Sequence, residues 1–209
     1  VAGERPVEIR DVAFLAPLVV TGAESRRVSV EVLRRDDGYE FEVKSGPDAT
    51  LHARGVLTPL REDPARPPAI TALEAVCTGD LREARGEALA PSQGSQLRFG
   101  PRWATLRRVG FGQGEAIARL ALAPEFAADV EQQGLHPALL DIATGFALPL
   151  VVGDDATAAL YVPLGYQRVR VHAPLASSIV SHVRSRAGNS FVREVATFDV
   201  TICDEHGEV

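Results

Sequence analysis

The chain has 209 residues, 45% of them hydrophobic and 24% charged, with a formal net charge of −6. This is globular composition, long enough for one large domain or two small ones and too apolar for a disordered chain. An acidic balance without a basic run argues against nucleic acid or an anionic membrane as partner, and no apolar run reaches the roughly 18 residues of a spanning helix.

The elements follow in chain order. Val7 to Val20 is a β-rich run broken at Pro17. Val28-Ser29-Val30-Glu31-Val32 and Tyr39-Glu40-Phe41-Glu42-Val43 alternate apolar with polar residues, the pattern of a sheet with one buried and one wet face. Between them Arg35-Asp36-Asp37-Gly38 offers an Asp-Gly pair suited to a tight hairpin turn. Leu51 to Leu57 completes a meander of about four strands, with Gly46-Pro47 as the preceding turn.

Thr58 to Ala69 holds Pro59, Pro64, Pro67 and Pro68 among charges and reads as a linker. A short helix is expected over Ile70 to Val76, and Leu81 to Ser95 is ambiguous. Arg102 to Val109 and Glu115 to Ala123 read as strands, and Pro124 to Gln133 as a short helix and loop. His136 to Leu148 is the strongest helix, with Pro137 at the first helical position and a broad apolar face of Leu139, Leu140, Ala143, Phe146 and Ala147. Ala159 to Val162, Arg168 to Val171, Ile179 to Arg186 and Phe191 to Cys203 are the remaining expected strands. The pattern predicts two α+β units: residues 1–58, a linker at 59–69, and residues 70–209.

The five histidines, His52, His136, His172, His182 and His206, form no metal-like spacing. His136 is expected to be structural at a helix start, and the other four to lie at the surface or at strand ends. There is no phosphate-binding glycine loop and no G-x-S-x-G elbow. Cys77 and Cys203 are too few for a disulfide framework and suggest a reducing, cytoplasmic setting with inert thiols. With no methionine in it, the chain is expected to be part of a longer polypeptide.

Asp141 is out of place among Leu139, Leu140, Ile142 and Ala143. Two readings stand: a carboxylate near a helix N-terminus that favours the dipole, or a functional acid in an apolar pocket. A carboxyl in such a pocket keeps its proton to higher pH and can act as a general acid.

Leu135-His136-Pro137-Ala138-Leu139-Leu140-Asp141 resembles the H-P-A-L-L-D signature of dehydratase domains of bacterial type I polyketide synthases. Phe99-Gly100-Pro101-Arg102-Trp103 resembles the family's Y-G-P-x-F segment, and Tyr161-Val162-Pro163-Leu164 its L-P-F segment. Ala16-Pro17-Leu18-Val19 is similar to a strand of the family's first half, and His52-Ala53-Arg54-Gly55 to its H-x-x-G strand end. The resemblance spans nearly the whole chain in family order.

The resemblance implies a double hot-dog fold: two curved antiparallel sheets, each around a central helix. The first unit is expected to be incomplete at its N-terminus, because the family's base motif, H-x-x-x-G-x-x-x-x-P, does not occur in these residues. Without its helix, the first unit is expected to expose an apolar face. The implied substrate is a 3-hydroxyacyl thioester on the phosphopantetheine arm of an acyl carrier protein, with Asp141 as general acid and a His outside this chain as base. These residues alone would then be inactive. Phe99, Gly100, Pro101, Trp103, His136, Pro137, Gly145 and Pro163 are expected to line the substrate, Trp103 as core or tunnel wall.

No cofactor or metal is expected, since the thioester itself acidifies the α-carbon. Implied partners are the carrier protein, neighbouring synthase domains and a second copy in a homodimer. Arg107-Arg108 and Arg168-x-Arg170 are candidate docking residues, otherwise solvated strand faces. Two departures stand out: the family's D-x-x-x-Q/H has Gly145 in its last position, and Phe99 replaces a Tyr. Alternative readings are a non-catalytic double hot dog that binds acyl chains or dimerises the synthase, and a hot-dog thioesterase.

Overall fold

The computed structural model describes residues 6–22, 24–61, 69–91, 93–152, 160–186 and 195–209. Two five-stranded sheets carry the chain, every adjacent pair antiparallel. They fall into two units, Val1–Asp63 with Val162–Ala173, and Pro64–Tyr161 with Pro174–Val209.

The first unit contains β1 (Val7–Phe14), β2 (Val28–Arg35), β3 (Gly38–Ser45) and β4 (Thr50–Pro59), joined by a later strand, Gly165–Val171. The sheet order runs β2, β3, β4, β1 and then that later strand. The predicted meander holds for β2, β3 and β4, but β1 lies against β4 and that later strand rather than beside β2, so the four strands are not a meander in chain order. The hairpin turn, however, consists of Asp36 and Asp37, while Gly38 already pairs with Arg35 as the first residue of β3. Gly38 is needed for closeness rather than for the turn, because a Cβ there would run into the Leu57 carbonyl.

The expected buried face of β2 is not found: all eight residues are exposed, Val30 at 61% and Val32 at 60%. With Leu15, Leu18, Val19 and Val20 also exposed, this unit carries an open apolar surface, as expected. No helix occurs among its described residues. His52 is not at the surface: it is buried on β4, and its ring lies 2.6 Å from Ser45 Oγ and 3.1 Å from the Ala16 carbonyl oxygen.

The second unit contains α1 (Ile70–Val76), β5 (Gly79–Glu83), β6 (Leu106–Phe111), β7 (Glu115–Ala121), α2 (Pro137–Gly145) and α3 (Pro149–Val152). The strand at Gly165–Val171 is β8, and β9 (Ser178–Ser185) and β10 (Phe198–Cys203) close the second sheet in the order β10-β9-β7-β6-β5. A 3-10 turn, Pro101–Trp103, and a 3-10 helix, Pro124–Glu131, flank β6 and β7.

Both faces of this sheet are covered. Ala116, Ala118, Leu120, Ile179 and Val183 pack under α2 with Leu139, Ile142, Ala143 and Phe146. On the other face, Ile117 and Val180 meet Leu73 of α1 together with Cys77 and Cys203. The alternation along β7 and β9 is what divides these side chains between the two clusters. His182 is buried inside β9, 2.7 Å from a Glu115 carboxylate oxygen, which corrects its expected place at the surface or at a strand end.

The contiguous division into 1–58 and 70–209 does not hold, because β8 pairs along β1 from Val7–Val171 to Ala13–Gly165. Much of the proposed 59–69 linker, including Pro64, Pro67 and Pro68, lies outside the described residues, as do Ala159 and Phe191. Leu160 to Val162 is not a strand, and the last strand begins at Phe198.

Candidate active site

The site begins with how α2 is held. His136 caps it, Pro137 occupies its first turn, and Leu140 N–H donates to the His136 carbonyl at 3.0 Å. Ser181 Oγ, fully buried on β9, donates to the Ala143 carbonyl at 2.8 Å. The helix therefore has one rotational setting: Leu139, Ile142, Ala143 and Phe146 face the sheet. Asp141 lies about 200° around from Leu139 at 100° per residue, and Gly145 follows Asp141 by one turn on the same face. Both are exposed.

This corrects the expectation of an apolar pocket. The residues flanking Asp141 in sequence are apolar, but in a helix immediate neighbours do not share a face. Gly145 has open space beside it: a Cβ built there meets nothing within 4 Å.

The carboxyl is nevertheless held. Trp103 Nε1–H donates to Asp141 Oδ2 at 2.7 Å, and the indole packs against the α2 core cluster. The turn bearing Trp103 is itself fastened, by Trp103 N–H to the Gly100 carbonyl at 3.0 Å and Thr105 N–H to the Trp103 carbonyl at 2.8 Å. Beside it, Arg102 Nε–H donates to Asp129 Oδ2 at 2.6 Å, and its guanidinium sits 4.4 Å over the Phe126 ring. The Arg102 hydrogen bond is the main cause that holds the Asp129 carboxyl below its ordinary range.

His136 has no exposed surface, and its Nε2 lies 3.6 Å from Asp129 Oδ2, beyond hydrogen-bond distance. Its burial fits the structural role at the helix start. Of the other expected lining residues, Gly100 and Pro101 form the exposed start of the Trp103 turn, Phe99 is half-buried before it, and Pro137 is exposed on α2. Pro163 is exposed and belongs to the other unit, ahead of β8. Sequence reasoning missed Trp103 as a partner of Asp141. The available signal is Trp103 at the Phe position of the resembled Y-G-P-x-F segment, read together with the departure at Gly145.

Among the described residues no group of three His, Cys, Asp or Glu is placed to hold a metal ion. Arg168 and Arg170 both approach Glu8, at 3.5 and 3.3 Å, and Arg108 approaches Glu74 at 3.6 Å.

The sequence model described as the polyketide synthase dehydratase N-terminal domain matches residues 67–209. Polyketide synthase PksM of Bacillus subtilis is 22% identical over 216 residues, covering 99% of this chain and 5% of that protein. Mycoketide-CoA synthase of Mycobacterium tuberculosis is 30% identical over 188 residues, covering 87% of this chain and 4% of that protein. The dehydratase domain from the CurF module of curacin polyketide synthase superposes with a TM-score of 0.80 at 22% identity, covering 99% of this chain and 73% of that one. A trans-AT dehydratase domain from Brevibacillus brevis does so with a TM-score of 0.79 at 20% identity, covering 99% of this chain and 75% of that one.

The two sheets thus share the hot-dog architecture of those domains, and the chain belongs to the polyketide synthase dehydratase family. It is a dehydratase domain of the type I polyketide synthase kind, and it spans 5% or less of the length of the curated synthases it matches. No helix among the described residues is long and apolar enough to cross a membrane.

Proposed function

We propose that Asp141 is the general acid in the removal of water from a 3-hydroxyacyl thioester carried on the phosphopantetheine arm of an acyl carrier protein. The observation that carries this reading is an anchored carboxyl on the open face of α2, in the H-P-A-L-L-D segment of a polyketide synthase dehydratase chain.

A base takes the α-proton, and the C–H electron pair becomes the new C=C bond. The C–O bond breaks as Asp141 delivers its proton to the departing hydroxyl, so water and a 2-enoyl thioester leave. The thioester carbonyl acidifies the α-carbon, so the step needs no redox partner or cofactor. The base is a His in an H-x-x-x-G-x-x-x-x-P segment that these 209 residues do not contain, and the chain alone is proposed to be inactive. The acyl chain laid over the Asp141 face displaces water there, which favours proton transfer over exchange with solvent.

The synthase that carries this chain is the protein to assay, with a 3-hydroxyacyl thioester of pantetheine and mass-spectrometric detection of the enoyl product. Asp141→Asn keeps the shape without an acidic proton and is expected to lower the rate by about 10²–10⁴-fold. Wild-type turnover by that variant refutes the acid role. Free acid as the product would instead indicate a thioesterase, and substrate bound without turnover an acyl-binding domain. The carrier protein, adjoining synthase domains and a second copy of the chain are the partners this reading requires.

A further inference from the structure

We infer that Trp103 is the positioning residue for Asp141, taking the place of a partner one helical turn along α2. This rests on the dehydratase reading above and adds the means by which this chain keeps its acid in one orientation.

An acid that must deliver a proton to one oxygen cannot rotate freely, and misplacement by about 1 Å can cost 10²-fold in rate. On α2 the natural place for a holding group is position 145, four residues after Asp141 on the same face. Gly145 has no side chain to hold it with. The donor comes from another element instead. Trp103 Nε1–H reaches Asp141 Oδ2 at 2.7 Å, a short direct hydrogen bond to the carboxyl group.

The indole is well suited to this. Its ring is packed into the α2 core cluster, so the N–H direction is fixed without a flexible stem. Its backbone turn is closed at both ends by hydrogen bonds, and the adjacent Arg102 is tied to Asp129 at 2.6 Å. One oxygen of the carboxyl group, Oδ2, is thereby occupied, and Oδ1 is the oxygen proposed to serve the substrate hydroxyl. A Cβ built at Gly145 meets no neighbour within 4 Å, so a side chain placed there has room to start toward Asp141.

The test has two arms. Trp103 is the chain's one tryptophan, so the ¹⁵N-labelled chain gives a single indole N–H resonance. That resonance is expected to move upfield in Asp141→Ala, with proton exchange faster by about tenfold. An indole signal indifferent to Asp141→Ala overturns the inference, whatever the activity of the synthase.

In the synthase, Trp103→Phe is expected to lower kcat by about 10- to 100-fold with KM within twofold. Trp103→Phe with Gly145→Gln is expected to recover at least tenfold of that loss, since glutamine can supply the donor from α2. A raised KM with unchanged kcat overturns positioning in favour of a wall contact, and so does a folded double variant without recovery. If the wild-type synthase forms no enoyl product, the dehydratase reading fails, and the indole arm alone decides whether Trp103 holds the carboxylate.

Discussion

Replacing Leu139 by alanine removes a side chain with no exposed surface from the middle of the cluster that seats α2. Three carbon groups leave, at about 0.8 kcal/mol each in transfer free energy, for about 2.4 kcal/mol. The cavity left between Leu120, Ile179 and Val183 adds to this, because a helix pinned by Ser181 cannot slide inward to close it. The expected loss is about 3–4 kcal/mol. Leu140→Ala is the internal control: that side chain is half-buried, and its loss is expected to cost about 1 kcal/mol. Urea unfolding followed by Trp103 fluorescence reads this unit alone, because Trp103 is the one tryptophan and belongs to the second unit. The denaturant slope is expected to stay constant while the midpoint falls. Equal losses for the two variants, or a loss below about 1 kcal/mol at Leu139, would refute the rotational setting of α2 on which the placement of Asp141 depends.

The Glu74 carboxyl is held below its ordinary range chiefly by the Arg119 hydrogen bond at 2.8 Å. Its contribution is therefore present above the unfolded value and lost as pH falls through the lower folded one. Glu74→Gln is expected to lose at most about 1 kcal/mol at pH 7 and to flatten the stability-pH curve on its acid side, checked by unfolding at pH 3 to 7. Burial pushes the Cys77 and Cys203 thiols up, so both are expected to resist an aromatic disulfide reagent at pH 8 and react once urea unfolds the second sheet. Gly165→Ala sets a Cβ against the Val12 backbone carbonyl and is expected to disrupt the β1–β8 pairing, read as faster amide exchange in β1.

Local features were the most legible in the sequence. The helix at Ile70–Val76 follows a proline-rich stretch and α2 starts at His136-Pro137, and both stand where the sequence places them. The end of α2 falls short of the expected Leu148, because the apolar pattern runs on through Phe146 and Leu148 while the helix ends at Gly145 and a new turn starts at Pro149. The motif singles out Asp141 as the candidate acid, but its sequence neighbours point elsewhere around the helix and do not describe its surroundings. Trp103 and Asp141 are separated by 38 residues, and nothing in either segment alone announces a hydrogen bond between them. The membership of β8 was illegible for the same reason. Its composition says strand, but the partner that completes its backbone hydrogen bonding stands at the other end of the chain.

That last pairing has a consequence for synthesis. Val7 cannot meet Val171 until the intervening chain has left the ribosome, at about 5–20 residues per second. For roughly ten to thirty seconds β1 is an edge strand with one row of unpaired N–H and C=O groups, beside Leu15, Leu18, Val19 and Val20. Nascent chains of the same kind, crowded on one message, present that edge to each other before it is closed. A truncation that ends ahead of β8 makes the interval permanent, so shortened versions of this domain are expected to aggregate through the first sheet even where the second is intact.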